Sequence, residues 1–230
     1  MIRTDHLTKN YGKARGVTDL TLQVPEGSCF GFIGPNGAGK STTIRTLLGL
    51  LSPTSGSARV LGLDCVREKE KILAQVGYMP SEAMFYPNMR VSEVIRLSAG
   101  LRKLDCGAEA AALCGALELD TRKRIRELSL GNRKKVSIVC AMQHRPRLYI
   151  LDEPTSGLDP LMQRAFWAEL ENRRREGATV FLSSHVLYEV ARYCDRAAIL
   201  REGRLIAEGT TAELDIENKF FDYYEGRVSQ

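Results

Sequence analysis

The stretch Gly34-Pro35-Asn36-Gly37-Ala38-Gly39-Lys40-Ser41-Thr42 decides the fold of this chain. It matches the pattern G-x-x-x-x-G-K-[ST], a loop whose backbone N–H groups surround phosphate oxygens. The flanking sequence predicts the required context, because an apolar strand at residues 29–33 precedes the loop and a helix with one apolar face follows it. The positive end of that helix points at the phosphates. In such a loop Lys40 supplies a positive charge for the β- and γ-phosphates, and the Ser41 hydroxyl can bind Mg²⁺.

A second predicted strand ends in two carboxylates. The apolar run Leu148-Tyr149-Ile150-Leu151 is followed directly by Asp152 and Glu153. Parallel strands deliver their carboxyl-terminal residues to the crevice where ligands bind. Asp152 is therefore a candidate ligand for Mg²⁺, directly or through water, and Glu153 is a candidate for polarising the attacking water. An acidic pair after a strand can also be a helix N-cap, and the upstream phosphate loop favours the functional interpretation.

The order of the predicted elements indicates an α/β fold. Strands alternate with helices at both ends of the chain, a helical block of about fifty residues lies between them, and the first strands look antiparallel. We therefore expect a P-loop NTPase core with a mostly parallel sheet, an N-terminal antiparallel β subdomain and an inserted α-helical subdomain. Within one domain, the core and β subdomain take residues 1–84 and 145–215, and the helical subdomain takes 85–144. An aromatic tail at 216–230 packs on the core or contacts a partner.

Composition is typical of a soluble globular protein. The 230 residues are 43% hydrophobic and 27% charged. No apolar run approaches the roughly 18 residues needed to cross a bilayer, and the N-terminus shows no apolar signal segment. We therefore expect a cytosolic chain, unless a partner carries it to a membrane. Six cysteines form no C-x-x-C pair, which favours buried reduced thiols over disulfides or a zinc site.

The net charge of +5 comes largely from basic runs at residues 122–126, 133–135 and 173–175. Nucleic-acid binding is one explanation of such runs, and a solvated face is the other. The runs contain no interleaved aromatic residues, which favours the solvated face. We therefore expect no nucleic-acid partner.

Further motifs, in the expected order, make the chain resemble the ATP-binding cassette family from about residue 2 to residue 214. Leu128-Ser129-Leu130-Gly131-Asn132 lies where the family signature belongs, and Ser156-Gly157-Leu158-Asp159 matches the loop that crosses the dimer interface. His185 matches the histidine that touches the γ-phosphate. Tyr11 matches the aromatic residue that stacks on adenine, although it can also be an ordinary strand aromatic.

This resemblance implies ATP and Mg²⁺ as cofactors and a homodimer or heterodimer of cassettes that closes on ATP. Ser129 and Gly131 would complete the cage around the γ-phosphate held by the other copy, and Asp159 would lie at that interface. Lys40, Glu153 and His185 would carry out ATP hydrolysis. The expected partner is a separate membrane-spanning permease subunit, which would hold the cytoplasmic chain peripherally on the inner face of the cell membrane. The alternatives are a soluble cassette that serves as an assembly scaffold, or one that acts on nucleic acid or ribosomes.

Two departures from the family pattern affect the site. Leu130 replaces the first glycine of the signature. Ser81, followed by Glu82, stands where the family usually has a glutamine that contacts Mg²⁺ and reports on the membrane partner. A serine hydroxyl is too short to replace glutamine without a water, so we hypothesise that Glu82 or a water fills the Mg²⁺ position beside Ser81. Both departures resemble bacterial export-type cassettes, including exporters of drugs and antibiotic peptides.

Overall fold

The computed structural model describes residues 1–12 and 14–227, and β-strands form two sheets in this part of the chain. In chain order the strands are β1 (Ile2–Tyr11), β2 (Ala14–Val24), β3 (Cys29–Ile33), β4 (Ser55–Val60), β5 (Leu63–Asp64), β6 (Val76–Met79), β7 (Leu148–Asp152), β8 (Thr179–Ser184), β9 (Arg196–Arg201) and β10 (Arg204–Thr210). The helices are α1 (Lys40–Leu47), α2 (Lys69–Gln75), α3 (Val91–Leu101), α4 (Gly107–Ala116), α5 (Leu130–Met142), α6 (Pro160–Arg175), α7 (Leu187–Tyr193), α8 (Thr211–Leu214) and α9 (Ile216–Glu225).

The larger sheet has the order β10-β9-β3-β8-β7-β6. Neighbouring strands from β9 to β6 run parallel, and β10 alone pairs antiparallel, through a hairpin with β9. Every residue of β3, β7 and β8 is buried. This is the pattern of parallel strands covered on both faces, and it explains their continuous apolar runs. The carboxyl ends of β3 and β7 therefore deliver residues 34–42 and 152–153 to the same edge of the sheet.

The smaller sheet is antiparallel and has the order β2-β1-β4-β5. Its inward face carries Leu20, Leu22 and Val24, which pack in one apolar cluster with residues of β3 and the buried face of α1. Strand alternation places these residues on one face of the sheet. The predicted fold class, a P-loop core with a mostly parallel sheet, an antiparallel β subdomain and an inserted helical block, is thus confirmed.

The inserted block consists of α3, α4 and α5 with a short 3-10 turn at Ile125–Glu127. On α3, Val94 and Ile95 are buried, whereas Leu97 and Leu101 are 43% and 77% exposed. Leu97 lies two residues after Ile95, about 200° around the helix, and so points away from the core. The subdomain limits at residues 85 and 144 stay a prediction.

The C-terminal segment packs on the core as far as the structure describes it. Ile216 is fully buried, and Phe220 and Tyr223 contact the main apolar cluster, whereas Phe221 is exposed. Residues 228–230 of the predicted tail lie outside the described residues. In the described part, no helix combines the length and the apolar character that a bilayer span requires.

The cysteines are free thiols, and five of the six are buried, as the sequence predicts. The solvated-face interpretation of the basic runs is wrong for Lys134, Lys135 and Arg173, which are 4%, 9% and 3% exposed. Arg173 is buried because its guanidinium forms ion pairs with Glu109 and Glu169. A charged group can be buried when such partners replace its water.

Candidate functional site

The phosphate loop leads directly into the first turn of α1. Gly39 precedes the helix with φ of 106°, and a methyl group added to it would lie 3.0 Å from the carbonyl oxygen of Gly16. Only glycine meets both conditions without strain. Lys40 begins the helix, and its ammonium donates to the carbonyls of Gly34 (2.6 Å) and Pro35 (3.3 Å). Ser41 and Thr42 follow in the first turn, where backbone N–H groups have no partner within a helix.

Three predicted catalytic side chains meet at the end of β7. The Lys40 Nζ atom lies 3.2 Å from Glu153 Oε1, and His185 Nδ1 lies 2.7 Å from Glu153 Oε2. The Glu153 side chain is largely buried, whereas that of His185 is half exposed. Glu153 therefore connects the phosphate loop to the histidine that follows β8. A carboxylate held between a lysine and a histidine is suited to orienting water and accepting its proton.

The backbone of Glu153 adopts an unusual conformation, with φ of +49°. Non-glycine residues in this region carry strain and persist only where their surroundings fix them. The Glu153 N–H donates to Ser183 Oγ (3.1 Å), and the Glu153 carbonyl accepts from the ammonium of Lys134 (2.8 Å). These contacts aim the carboxylate at Lys40 and His185.

Lys134 is a functional residue that the sequence analysis missed. Its ammonium also donates to the carbonyl of Ser81 (3.0 Å), so one buried side chain of α5 joins the loop after β6 to the residue after β7. Burial lowers the pKa of Lys134 to about 8, and the charges of Asp152, Glu153 and Glu82 partly offset this effect. Its position in a basic run concealed this role. Whether a lysine is solvated or buried depends on its neighbours in space, and the sequence alone does not show them.

Candidate Mg²⁺ ligands surround the same cleft. Asp152 is buried and accepts a hydrogen bond from Ser183 Oγ (2.5 Å) at Oδ1. Ser81 is half-buried, and Glu82 is exposed beside it. In the described residues there is no cluster of three His, Cys, Asp or Glu side chains that could hold a metal ion. The hydroxyl and carboxylate donors nevertheless fit Mg²⁺, which in such sites binds one or two protein oxygens together with substrate phosphates.

The signature residues begin α5. Ser129 is the N-cap and accepts from the Asn132 N–H (3.3 Å). A methyl group added to Gly131 would lie 2.9 Å from the carbonyl of Gly157, and the exposed Leu130 side chain packs towards the same glycine. The signature thus contacts the 156–159 loop of its own chain. In the described residues no hydrogen bond or ion pair joins Ser129 or Gly131 to the phosphate loop.

Asp159 and Tyr11 lie at the margins of this surface. Asp159 is exposed and caps α6 by accepting from the Met162 N–H (3.0 Å). Tyr11 ends β1, is partly exposed and lies under the ammonium of Lys9, 5.4 Å from the ring centroid. The adjacent β2 reaches the phosphate loop, because Gly16 and Val17 lie against Gly39. Tyr11 pairs with Ala14, two residues before Gly16, so the predicted aromatic residue lies near this contact.

A buried carboxylate behind the cleft also escaped the sequence analysis. Glu189 on α7 accepts from the Thr155 hydroxyl (2.9 Å), and its Oε2 lies 3.5 Å from Ser184 Oγ. Burial raises the pKa of Glu189. The side chain ties the residue before the 156–159 loop to the residue before His185, so both loops are fixed to α7.

The fold and the loop define a P-loop nucleotide-binding protein. The family model described as ABC transporter matches residues 17–156. The chain therefore belongs to the ABC transporter family, in which it represents an ATP-binding cassette.

Several curated relatives and solved structures are similar to it. The probable multidrug ABC transporter ATP-binding protein YbhF of Escherichia coli (strain K12) is 37% identical over 95% of this chain, and the chain spans only 38% of the length of YbhF. The bacitracin transport ATP-binding protein BcrA of Bacillus licheniformis is 38% identical over 90% of this chain and 69% of its own length. A solved structure of the ATP-binding subunit of an ABC transporter superposes on this chain with a TM-score of 0.88 and is 32% identical in sequence. The match covers 98% of this chain and 98% of that subunit.

Proposed function

We propose that this chain is the ATP-hydrolysing subunit of a membrane transporter that works in the direction of export. The observation that carries the proposal is the convergence of Lys40, Glu153 and His185 at the mouth of the phosphate loop. YbhF and BcrA are named for multidrug and bacitracin transport, and a further relative is named a Nod factor export ATP-binding protein, which supports the export direction.

The chemistry assigns each of these side chains a role. Lys40 and the N–H groups of residues 34–42 hold the β- and γ-phosphates, with Tyr11 stacked on the adenine. Glu153 orients a water and takes its proton as the water attacks the γ-phosphorus. His185, fixed by its contact with Glu153, donates to a γ-phosphate oxygen. This arrangement relies on positioning and charge, which are the main sources of catalysis in phosphoryl transfer.

Mg²⁺ would neutralise charge on the β- and γ-phosphate oxygens when bound with ATP. Ser41 and Asp152 are its proposed ligands, with Glu82 or a water beside Ser81 completing the set. Replacement of Glu82 by alanine tests the last of these. If Glu82→Ala leaves the dependence of ATP hydrolysis on Mg²⁺ concentration unchanged, Glu82 takes no part in binding the metal.

A second cassette completes the proposed site. Ser129 and Gly131 present the exposed start of α5, whose N–H groups and dipole suit an anion, and Asp159 lies on the neighbouring loop. A phosphate bound across two copies would link their association to ATP binding, and hydrolysis would reverse it. Both a homodimer and a heterodimer meet this requirement, and the latter tolerates Leu130 more easily.

The alternative is a soluble cassette that acts as an assembly scaffold or on nucleic acid or ribosomes. The experiment that separates the two is a pull-down of tagged Glu153→Gln chain, with ATP and Mg²⁺, from detergent-solubilised membranes and from the soluble fraction. Recovery with a polytopic membrane protein is the expected result. Recovery only with soluble proteins, ribosomes or nucleic acid would contradict the transport proposal and leave the ATPase proposal intact.

A further inference from the structure

A cavity of about 410 Å³ lies in the inserted helical block, between α3 and α4. Both helices pack against α5, and Gln143, the residue after α5, lies at the floor of the cavity. The walls carry small or apolar side chains, among them Ile95 and Ala99 of α3 and Ala110 and Cys114 of α4. Small residues on the two helices leave this space open, and its volume lies in the range of pockets that hold small molecules.

Gln143 brings an unpaired hydrogen-bond acceptor to this cavity. Its side-chain N–H group donates to the carbonyl of Ile95 (3.0 Å), which fixes the amide and leaves Oε1 as the acceptor atom. Oε1 is buried and has no hydrogen-bond partner in the part of the chain that the structure describes, and the whole residue is only 3% exposed. A buried carbonyl oxygen without a donor costs free energy, so a molecule that donates a hydrogen bond to Oε1 recovers that cost.

The mouth of the cavity carries one charge of each sign. Arg96 of α3 and Asp105 of the loop between α3 and α4 line the cavity, and both residues are exposed. Their charges offset one another, so the mouth favours neither an anion nor a cation. Ser92 and Thr121 are partly buried and add two hydroxyl groups to the lining. A mostly apolar lining with a few polar groups is typical of a site for a neutral small molecule.

Water alone matches this lining poorly. A buried water typically makes about three hydrogen bonds to polar groups that have no other partner. Gln143 supplies one such acceptor, whereas Ile95, Ala110 and Cys114 elsewhere in the lining are buried and apolar. Apolar walls that face water gain free energy when an apolar molecule covers them. A molecule with an apolar body and one hydrogen-bond donor therefore matches both parts of the lining.

We propose that this cavity is a binding site for a small neutral molecule that is largely apolar and carries one N–H or O–H donor. The apolar body lies between α3 and α4, and the donor pairs with Oε1 of Gln143. The inference does not depend on the proposed function. The 13 residues of α5 separate Gln143 from Ser129, which corresponds to about 20 Å at a rise of about 1.5 Å per residue. The site is therefore separate from the residues that would bind ATP.

The experiment uses indole as the probe and benzofuran as its control. Indole carries one N–H donor on a flat apolar ring system, and benzofuran has nearly the same shape with an oxygen in place of the N–H group. Binding to the full chain is followed by NMR, through the amide signals of the residues that line the cavity. We expect indole to bind there about three- to tenfold more tightly than benzofuran, because a hydrogen bond between neutral groups contributes this much. Equal affinities of the two probes for the wild type, or no detectable binding of indole, would overturn the proposal.

Three variants test the acceptor and the space separately. Gln143→Met removes the acceptor and should lower the affinity for indole to that for benzofuran. Ala111→Phe, at an exposed position that lines the cavity, fills the space and should weaken binding of both probes at least about tenfold. The matched control is Ala112→Phe, at the next position of α4, which is exposed but lies outside the lining and should bind both probes as the wild type does.

The location of the bound probe is decided by the same measurements. Indole binding by Ala111→Phe that equals indole binding by Ala112→Phe would overturn the proposal, because the probe would then lie elsewhere. Signal changes centred on Tyr11 and the phosphate loop would overturn it in favour of binding at the nucleotide site. The comparison of the two probes on the wild type needs no variant, so the test stands even where a substitution prevents folding.

Discussion

Lys134 links the loop after β6 to the strained residue after β7, and its removal should slow hydrolysis more than it weakens ATP binding. The perturbation is Lys134→Met, which keeps the length and apolar stem of the side chain but deletes both hydrogen bonds. The Glu153 carbonyl then loses a 2.8 Å contact to a charged donor, and the Ser81 carbonyl loses one of 3.0 Å. A hydrogen bond to a charged group contributes about 1.5–3 kcal/mol.

The size of the expected decrease in kcat follows from the contacts that Glu153 retains in the Lys134→Met chain. Its N–H still donates to Ser183, so the residue stays in place while its backbone, at φ of +49°, has one anchor fewer. If poorer positioning of Glu153 raises the activation free energy by about 1.4 kcal/mol, kcat decreases tenfold. KM for ATP should change less than threefold, because Lys134 contacts no group of the phosphate loop. The free energy of unfolding should change little, since removal of a buried charge offsets the lost hydrogen bonds.

The assay is steady-state phosphate release, with Lys134→Gln as the matched variant. Glutamine carries two N–H donors without a charge and should recover most of kcat. A Lys134→Met chain as active as the wild type, or a Lys134→Gln chain as slow as Lys134→Met, would refute the positioning argument.

Three further predictions concern packing and charge. Gly131→Ala should destabilise the chain by about 1–2 kcal/mol in urea denaturation, because its methyl group meets a carbonyl oxygen at 2.9 Å. The control is Gly115→Ala, whose methyl group lies in open space and should be neutral or stabilising. Equal effects of the two substitutions would contradict the packing account. Burial and the charge of a nearby arginine lower the pKa of His144 to about 4, below its unfolded value of 6.5, so stability should fall as pH falls from 6.5 to 4. The free energy of unfolding of His144→Gln should fall by about 2 kcal/mol less than that of the wild type between pH 7 and pH 4.5. A fall equal to that of the wild type would be inconsistent with this cause. Arg173→Met should cost about 3 kcal/mol, because it leaves the carboxylate of Glu109 without its buried partner, and a change under 1 kcal/mol would show that the pair contributes little.

Much of the architecture is predictable from local pattern. The phosphate-loop motif predicts the positions of β3 and α1, and the apolar run before Asp152 predicts β7. Buried parallel strands and glycine-rich turns have strong sequence signals. The start of α6 at Pro160 is also predictable from the sequence, since Asp159 and Pro160 provide an N-cap and a first-turn proline. Ser129 likewise provides the N-cap of α5, although no proline follows it.

The features that local sequence pattern does not predict depend on contacts between distant segments of the chain. The bounds of α4 are hard to predict, because its alanine-rich sequence carries no periodic signal at either end. Lys134 and Glu189 were missed, since their roles come from partners 19 to 53 residues away along the chain. The assigned roles of the site residues stay predictions, although the structure brings Lys40 and His185 into contact with Glu153.

The most direct test of the central claim compares phosphate release and ATP binding by the wild type and Glu153→Gln. Glu118→Gln is the control, since Glu118 is an exposed glutamate that also has a positive φ and lies outside the site. The account predicts that Glu153→Gln binds ATP as well as the wild type but releases phosphate at least about 100-fold more slowly, with Glu118→Gln unchanged. Undiminished phosphate release by Glu153→Gln would contradict the claim that this carboxylate activates the attacking water.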